Sequence, residues 1–483
     1  MSRRIGFVDT TFRDGQQCLW ATRMTTAMIA AVAPHVDRSG YDAVEIVGAV
    51  TFDACIRYLR ENPWERVRLM HGLLPRAPLR FVTRCRNFIS FDVVPEDVVE
   101  LVYTRLYANG LRQFMLVDGL HDLDNIRWAL TITKGLGFYV CPALIFSISP
   151  VHTDAYYVEK ARAICALGAD ALVLKDVGGL LTVDRVRTLV PALREVAGAL
   201  PLEIHVHCST GLAPLVVLEA VQLGVDAVYS AIPPLADGQS HPSVLHVAAN
   251  LKLLGYDIAL NLDAVGESSR VLEAIARQER LPMGTIVPYD LFHYQHQVPG
   301  GMQANLRAQL RDAGLGDKFH AALEEVPRLR EELGWPVMVS PFSQFVGIQA
   351  LINVVQKERY ATVLDEIAKW AYGYYGKLEA PIDPNVMDRI VERSAKRISP
   401  CPRPPEPALP ALRRAFPEAD DDELVLRAFF KGTQVDDMLA AQPLNPVYAF
   451  NCDVVGLVQR LIATSETGHV VLSKPGLELA WQR

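Results

Sequence analysis

The sequence has few cysteines, and they form none of the spacings that usually pair or bind a metal. Its eight cysteines among 483 residues are widely scattered, none belongs to a C-x-x-C motif, and several lie inside apolar runs. This usage is typical of buried free thiols in a reducing compartment. We therefore expect no disulfide framework.

Dense blocks of one charge and a hydrophobic amino terminus are also absent. Lys and Arg number 48 against 55 Asp and Glu, and no basic block follows the pattern of a phosphate-binding surface. The first 15 residues reach charged positions after a short apolar stretch, which argues against a signal peptide or a membrane span there. We expect a soluble, cytoplasmic protein that neither binds nucleic acid nor inserts into a membrane.

What the sequence does contain is a globular composition with a regular alternation of strands and helices. Half of its residues are hydrophobic and 21% are charged, which excludes disordered and collagen-like classes. Eight short apolar runs are separated by stretches of helical length. The predicted strands are residues 5–9, 43–48, 79–83, 114–118, 138–146, 171–176, 202–207 and 226–231.

Eight such units predict an α/β fold built on a closed (β/α)8 TIM barrel, whose usual size is about 250 residues. A doubly wound open sheet is the alternative, but it favours a Gly-rich turn after the first strand, where this chain has Thr10, Thr11 and Phe12. We predict the barrel over residues 1–265 and a mainly helical domain, closing over the barrel mouth, over 266–399. A Pro-rich linker and a small helical C-terminal segment are predicted over 400–483.

Polar residues collect where the predicted strands end. Catalytic groups of such barrels come from these carboxyl ends, so these side chains are expected to converge. The residues concerned are Asp9 to Gln17 after the first strand, Asp53, Arg84, Asp118, Lys175, His205 and His207.

His205 and His207 are one residue apart on a strand, so both rings point to the same face and could bind a metal. A chance pair with a structural role is the alternative. Asp14 and Lys175 could complete the ligand set. A protonated Lys is a poor ligand, but CO2 would convert the neutral amine to a carbamate with ligand oxygens. The alternative for Lys175 is a salt bridge to Asp176 or another acid.

Seven motifs together resemble one family. They are DTTFRDGQQCLWATRM (9–24), GAVTFD (48–53), ISPVHTDAYYVEKA (148–161), LKDVGGLLT (174–182), HVHCSTGLA (205–213), HQVPGGM (296–302) and SPFSQFVGIQA (340–350). In this order they are similar to the carboxyltransferase family of biotin-dependent enzymes, which includes the pyruvate carboxylase central domain, the oxaloacetate decarboxylase α subunit and the transcarboxylase carboxyltransferase subunit. The first motif alone also resembles metal-dependent Claisen and aldol enzymes.

The resemblance implies a metal centre and a substrate pocket. Zinc, manganese or cobalt would be held by Asp14, His205, His207 and a carboxylated Lys175. Arg13 would donate to the substrate's oxo oxygen, and Arg84 would bind its carboxylate, a task for which a planar guanidinium is suited. Further pocket residues implied by the resemblance are Gln17, Asp53, Phe91, Ser340 as proton relay, and Ser343 at biotin.

Two positions depart from the family pattern, and Ser340 replaces the Thr that relays the proton there. Val47 stands where a Trp is usual, and Phe91 where a Tyr is usual, so the pocket is expected to have a changed shape. For Ser340 the alternative is a helix cap before Pro341.

Partners follow from the same resemblance. No Met is followed by Lys, so the M-K-M biotin attachment signal is missing. We expect a separate biotinylated carrier, a separate biotin carboxylase if the enzyme runs as a carboxylase, and a homodimer. The predicted reaction moves CO2 between carboxybiotin and a 2-oxo acid, with pyruvate and oxaloacetate as the pair. The alternatives are a lyase or Claisen-type synthase on the same barrel, and a weakly active scaffold subunit.

Overall fold

The computed structural model contains a closed barrel of eight parallel strands. It describes residues 2–89, 93–312, 314–356, 358–450, 469–474 and 477–482. The first strand pairs with both the second and the eighth, so the barrel alternative is confirmed and the open sheet is wrong. The barrel strands are β1 (Gly6–Asp9), β2 (Ala43–Gly48), β3 (Leu79–Arg84), β4 (Gln113–Val117), β5 (Tyr139–Ile145), β6 (Leu172–Asp176), β7 (Leu202–Val206) and β8 (Ala227–Ser230).

Every predicted strand agrees with an observed one to within one residue at each end. Nearly all strand residues are buried, because the barrel interior covers one face and the surrounding helices cover the other. That double burial explains why the sequence shows almost continuous apolar runs instead of alternation.

Helices surround the barrel because parallel strands need long crossover connections. Thr153 and Thr182 cap two of these helices by accepting hydrogen bonds from the N–H groups of Tyr156 and Arg185. The helices of this layer are α1 (Gln16–Leu19), α2 (Thr26–Asp37), α3 (Ala49–Ala54), α4 (Pro63–Leu73), α5 (Glu96–Ala108), α6 (Leu123–Gly135), α7 (Asp154–Ala166), α8 (Val183–Ala197), α9 (Ala213–Gln222), α10 (Val244–Leu253) and α11 (Leu262–Gln278). Two π-helical turns, Thr11–Gly15 and Cys55–Leu59, interrupt the layer at the barrel mouth.

The boundary expected between residues 265 and 266 falls inside α11. This helix packs against α2, and its buried side chains Val265, Leu272 and Ile275 belong to the hydrophobic core between strands and helices.

A second group of helices packs on the carboxyl ends of the strands. It comprises α12 (Leu291–His296), α13 (Gly300–Asp312), α14 (Phe319–Glu332), α15 (Phe342–Gln356), α16 (Asp365–Ala371) and α17 (Pro384–Ser394), with a 3-10 turn at Gly316–Lys318. One hydrophobic cluster runs from the barrel interior, including Val117 and Ile145, into these helices, including Phe345 and Trp370. The helical group is therefore joined to the barrel by a shared core.

Two close approaches hold this helical group over the barrel mouth. A Cβ on Gly119, after β4, would lie 2.5 Å from the Phe342 ring, so only glycine allows the contact. After the neighbouring strand β5, Arg330 donates to the Ser147 hydroxyl at 2.9 Å, and the Gln297 amide donates to the Ile148 carbonyl at 2.8 Å.

The C-terminal segment returns to the outside of the barrel. After the proline-rich stretch it forms α18 (Leu409–Ala415), α19 (Asp421–Phe429) and α20 (Gln434–Leu439). In addition to the expected helices there is a two-stranded antiparallel sheet, β9 (His469–Lys474) and β10 (Leu477–Gln482). Among the described helices, none is both long and apolar enough to cross a bilayer.

Candidate metal centre and active site

The ends of β1, β6 and β7 bring together the residues predicted as metal ligands. Lys175 on β6 is paired in register with His205 on β7, and His207 follows two residues later. Asp14 lies in the π-helical turn directly after β1. All four side chains are buried at the mouth of the barrel. The convergence predicted from the sequence is therefore present.

A third histidine, which the sequence analysis missed, completes this group. His241 lies in the loop after β8, and its Nε2 is 3.2 Å from Asp14 Oδ2. The Nε2 atoms of His205 and His207 lie 3.3 Å and 3.4 Å from the same oxygen. Each of the four residues offers one ligand atom, and these atoms all lie within 4.8 Å of one another.

These separations fit one bound cation. In a tetrahedral site with bonds of about 2.1 Å, neighbouring donors are about 3.4 Å apart. The ring orientations also fit, because His207 Nδ1 donates to the Gln239 carbonyl at 2.8 Å and His241 Nδ1 donates to the Val206 carbonyl at 3.2 Å. Those bonds occupy Nδ1 of both rings, so in each ring Nε2 is the nitrogen that could bind a metal once it is deprotonated.

The charges of the group agree with this donor set. Burial alone would raise the pKa of Asp14, but Arg13 and His207 hold it well below its ordinary value. Burial and the Lys175 charge hold the pKa of His205 well below its ordinary value. Burial disfavours a charge on His207, yet the Asp14 carboxylate raises the pKa of this ring to about 10. Binding of a cation would therefore release the His207 proton.

Lys175 lies in contact with the group. Its ammonium donates to the His205 ring, with Nζ 2.7 Å from Nε2. Burial and the nearby Arg13 lower the pKa of Lys175 to about 8. The alternative of a salt bridge to Asp176 does not match the contacts of Asp176, whose carboxylate accepts from the backbone N–H groups of Gly178 and Leu181.

Arg13 is held by a second residue that the sequence analysis missed. Its Nε and Nη2 donate to Glu45 Oε2 at 2.9 Å and 2.7 Å, and its Nη2 is 2.9 Å from Asp14 Oδ2. The signal available in the sequence was a charged residue within the apolar strand AVEIVG, since buried charges need a partner.

Arg84 and Ser340, 256 positions apart in the chain, line the same narrow cavity. It has a volume of about 20 Å³, room for about one water molecule, and Asp118 and Tyr375 also lie on its wall. Arg84 Nη2 donates to the Phe88 carbonyl at 2.8 Å. Burial lowers the pKa of Arg84 to about 10, so the group remains a cation at neutral pH.

Ser340 does not occupy the cap position of the following helix. The helix α15 begins at Phe342, and the N–H groups of Ser343 and Gln344 donate to the carbonyls of Val339 and Pro341. Ser340 is exposed towards the cavity. The neighbouring Ser343 is buried, and its hydroxyl has no hydrogen-bond partner among the described residues.

The remaining predicted residues lie at the edge of the site or outside the description. Gln17 is half-buried on α1. Asp53 on α3 is half-buried and forms an ion pair with Arg57 at 2.6 Å. Phe91 lies outside the described residues. Val47 is fully buried on β2.

Comparison with known proteins gives consistent matches over most of the chain. A family model described as a conserved carboxylase domain matches residues 294–438. The chain is 38% identical to a pyruvate carboxylase subunit of Methanocaldococcus jannaschii, over 87% of this chain and 74% of that protein. It is 32% identical to the methylmalonyl-CoA carboxyltransferase 5S subunit of Propionibacterium freudenreichii subsp. shermanii, over 88% of this chain and 86% of that one.

A solved structure has the same architecture. The carboxyl transferase domain of Rhizobium etli pyruvate carboxylase, determined with oxamate and biotin, matches with a TM-score of 0.84 and 26% identity. The match covers 91% of this chain and 78% of that structure.

Proposed function

The chain belongs to the carboxyltransferase family of biotin-dependent enzymes, and on that premise we propose that it moves a carboxyl group between carboxybiotin and a small 2-oxo acid. Pyruvate and oxaloacetate are the proposed pair. The observation that carries this proposal is the convergence of Asp14, His205, His207 and His241 beside the guanidinium of Arg13. A cationic donor next to a metal-binding group suits a substrate on which negative charge develops at an oxygen.

The four clustered residues are proposed to hold zinc, manganese or cobalt, all of which accept imidazole and carboxylate donors. Such a cation supplies Lewis acidity, which stabilises negative charge on an oxo oxygen. Lys175, 2.7 Å from His205 Nε2, is proposed to be carboxylated, which would place a carboxylate-like group beside the three histidines.

The two arginines divide the binding of a 2-oxo acid between them. Arg84 is proposed to bind the substrate carboxylate through its planar fork. Arg13 uses Nε and Nη2 on Glu45 and Asp14, so Nη1 is the nitrogen assigned to the oxo oxygen. Because the bonds to Glu45 fix the guanidinium, Arg13 can donate a hydrogen bond to the substrate without a change in its own conformation. Gln17 and Asp53 are proposed to line the same pocket.

Proton transfer is assigned to the helical group over the barrel mouth, α12 to α17. Ser340 and Arg84 line the same small cavity, so the Ser340 hydroxyl lies close to the guanidinium that is proposed to bind the substrate carboxylate. We assign this hydroxyl the transfer of a proton between the substrate's methyl carbon and the ureido nitrogen of biotin. Ser343 is assigned to the biotin pocket, and Phe91 to the substrate pocket.

We infer that other proteins take part in the complete reaction. We propose a separate biotinylated carrier protein, a biotin carboxylase subunit, and assembly of this chain as a cytoplasmic homodimer. The M. jannaschii relative is named as one subunit of a pyruvate carboxylase, which supports division of the reaction among several chains.

The test is decarboxylation of oxaloacetate by the purified protein with free biotin. The expected result is pyruvate formation that depends on biotin and is lost in Arg84→Ala. A panel of 2-oxo acids should include 2-oxoglutarate, since one relative, from Hydrogenobacter thermophilus, is named as a 2-oxoglutarate carboxylase large subunit. A turnover rate that is independent of biotin but requires an acyl-CoA would contradict the proposal and favour a lyase or synthase.

A further inference from the structure

Two phenylalanines at the end of α19 contact the segments that carry two predicted substrate residues. The Phe429 ring packs edge-on against Phe88, with centroids 5.3 Å apart and ring planes at 69°. Phe430 is buried, and the Arg57 guanidinium lies 5.5 Å from its ring centroid. Arg57 in turn forms the ion pair with Asp53. The C-terminal segment therefore contacts the two chain segments that carry the proposed pocket residues Arg84 and Asp53.

Phe88 transmits this contact to Arg84. The Phe88 carbonyl accepts a hydrogen bond from Arg84 Nη2 at 2.8 Å, and Asn87 accepts one from Arg84 Nε. Three aromatic rings surround Phe88, because Phe52 lies 5.2 Å and Phe81 5.9 Å from it on the barrel side, opposite Phe429. A displacement of the Phe88 backbone would move the acceptor that orients the Arg84 guanidinium.

The helix α19 is itself firmly attached to the outer layer of the barrel. The Asp422 carboxylate accepts from Arg68 at 2.7 Å, from Arg105 at 2.8 Å and from Asn109 at 3.1 Å. The Asp422 carbonyl accepts from the indole N–H of buried Trp64 at 2.9 Å. These bonds join α19 to α4 and α5. They therefore hold Phe429 in its contact with Phe88.

We propose that α19 is a brace for the substrate pocket, in which Phe429 is a positioning residue that acts on Arg84 through Phe88. The inference rests on the proposed function, because it assumes that Arg84 binds a substrate carboxylate. It assigns to the segment beyond the proline-rich linker a role in substrate affinity. A purely structural role for Phe429 would instead change stability and leave affinity alone.

The experiment measures binding of oxamate, an unreactive carboxylate analogue of pyruvate, by calorimetry at constant metal content. Phe429→Ala should weaken binding by about five- to tenfold, a size typical of coupled neighbours. Phe429→Tyr keeps the ring and should restore binding to within about twofold. The matched control is Phe416→Ala, which removes the same side chain from the same segment where it contacts Arg427 and not Phe88.

A double-mutant cycle with Arg84→Lys tests whether the effect passes through Arg84. In that background Phe429→Ala should change oxamate affinity by less than about twofold. Phe429→Leu, which fills most of the volume without a ring, replaces the Ala variant if its melting temperature falls too far. An effect of equal size in Phe416→Ala, or one that persists undiminished beside Arg84→Lys, would overturn the brace. Failure of the wild-type protein to bind oxamate would instead contradict the proposed function.

Discussion

Removal of His241 is the sharpest test of the proposed metal centre, because this candidate ligand comes from the structure and not from the predicted set. The variant His241→Ala removes one of four donor atoms around the position implied by the 3.2–3.4 Å separations from Asp14 Oδ2. We expect metal affinity to fall by at least about 100-fold, since loss of a bond that merely orients a ligand already costs about 10- to 100-fold.

A structural effect alone would be much smaller. The His241 ring makes one hydrogen bond to the backbone, from Nδ1 to the Val206 carbonyl at 3.2 Å. The net contribution of such a bond is about 1 kcal/mol, or about fivefold in an equilibrium constant. A loss of only that size would mean that His241 supports the site without binding the metal.

The assay is competition of metal-free protein with a chromophoric chelator, for zinc and for manganese in parallel. His246→Ala is the matched control, because His246 is an exposed histidine on α10, five residues farther along the chain. Circular dichroism should show that both variants are folded. If His241→Ala bound both metals as tightly as the wild type, the four-donor assignment would be wrong, and Asp14, His205, His207 and Lys175 would have to suffice.

Three further outcomes are expected. Ser340→Ala should lose carboxyl transfer by about 10²- to 10⁴-fold with its metal retained, whereas Ser340→Thr should remain active; a wild-type rate in the Ala variant would place the proton relay elsewhere. Lys175 should carry a carbamate, seen in a crystallographic map as extra density on Nζ at saturating bicarbonate, and a bare ammonium there would refute this. Glu203→Ala removes the partner of buried Arg80 at the opposite end of the barrel. It should lower the free energy of unfolding by about 3–5 kcal/mol in denaturant titrations but leave metal affinity unchanged, and a loss of metal would show that the two ends are coupled.

The strands and their order could be predicted from the sequence because a strand that is buried on both faces is apolar along most of its length. A run such as AVEIVG or FYVCPALIF is apolar at nearly every position, and eight runs at helical spacing are compatible with few folds. Parallel strands also place their carboxyl ends at one edge, so the meeting of Asp14, Lys175, His205 and His207 followed from the same pattern.

The domain boundary at 265 was less predictable, because α11 has the same amphipathic character as the helices beyond it. Its packing against α2 and α10 is what associates it with the barrel. The two C-terminal strands were likewise not predicted, because the C-terminal segment was expected to be helical.

The amino-acid sequence by itself determined the barrel, its catalytic edge and the residues that the strands carry to it, since each depends on the order of polar and apolar side chains along a few consecutive positions. The tertiary structure alone decided that His241 joins Asp14, that Glu45 holds Arg13, and that Phe429 presses on the loop of Arg84. These contacts join residues 32 to 341 positions apart. They exist because loops and helices with no common local pattern are packed into the same volume.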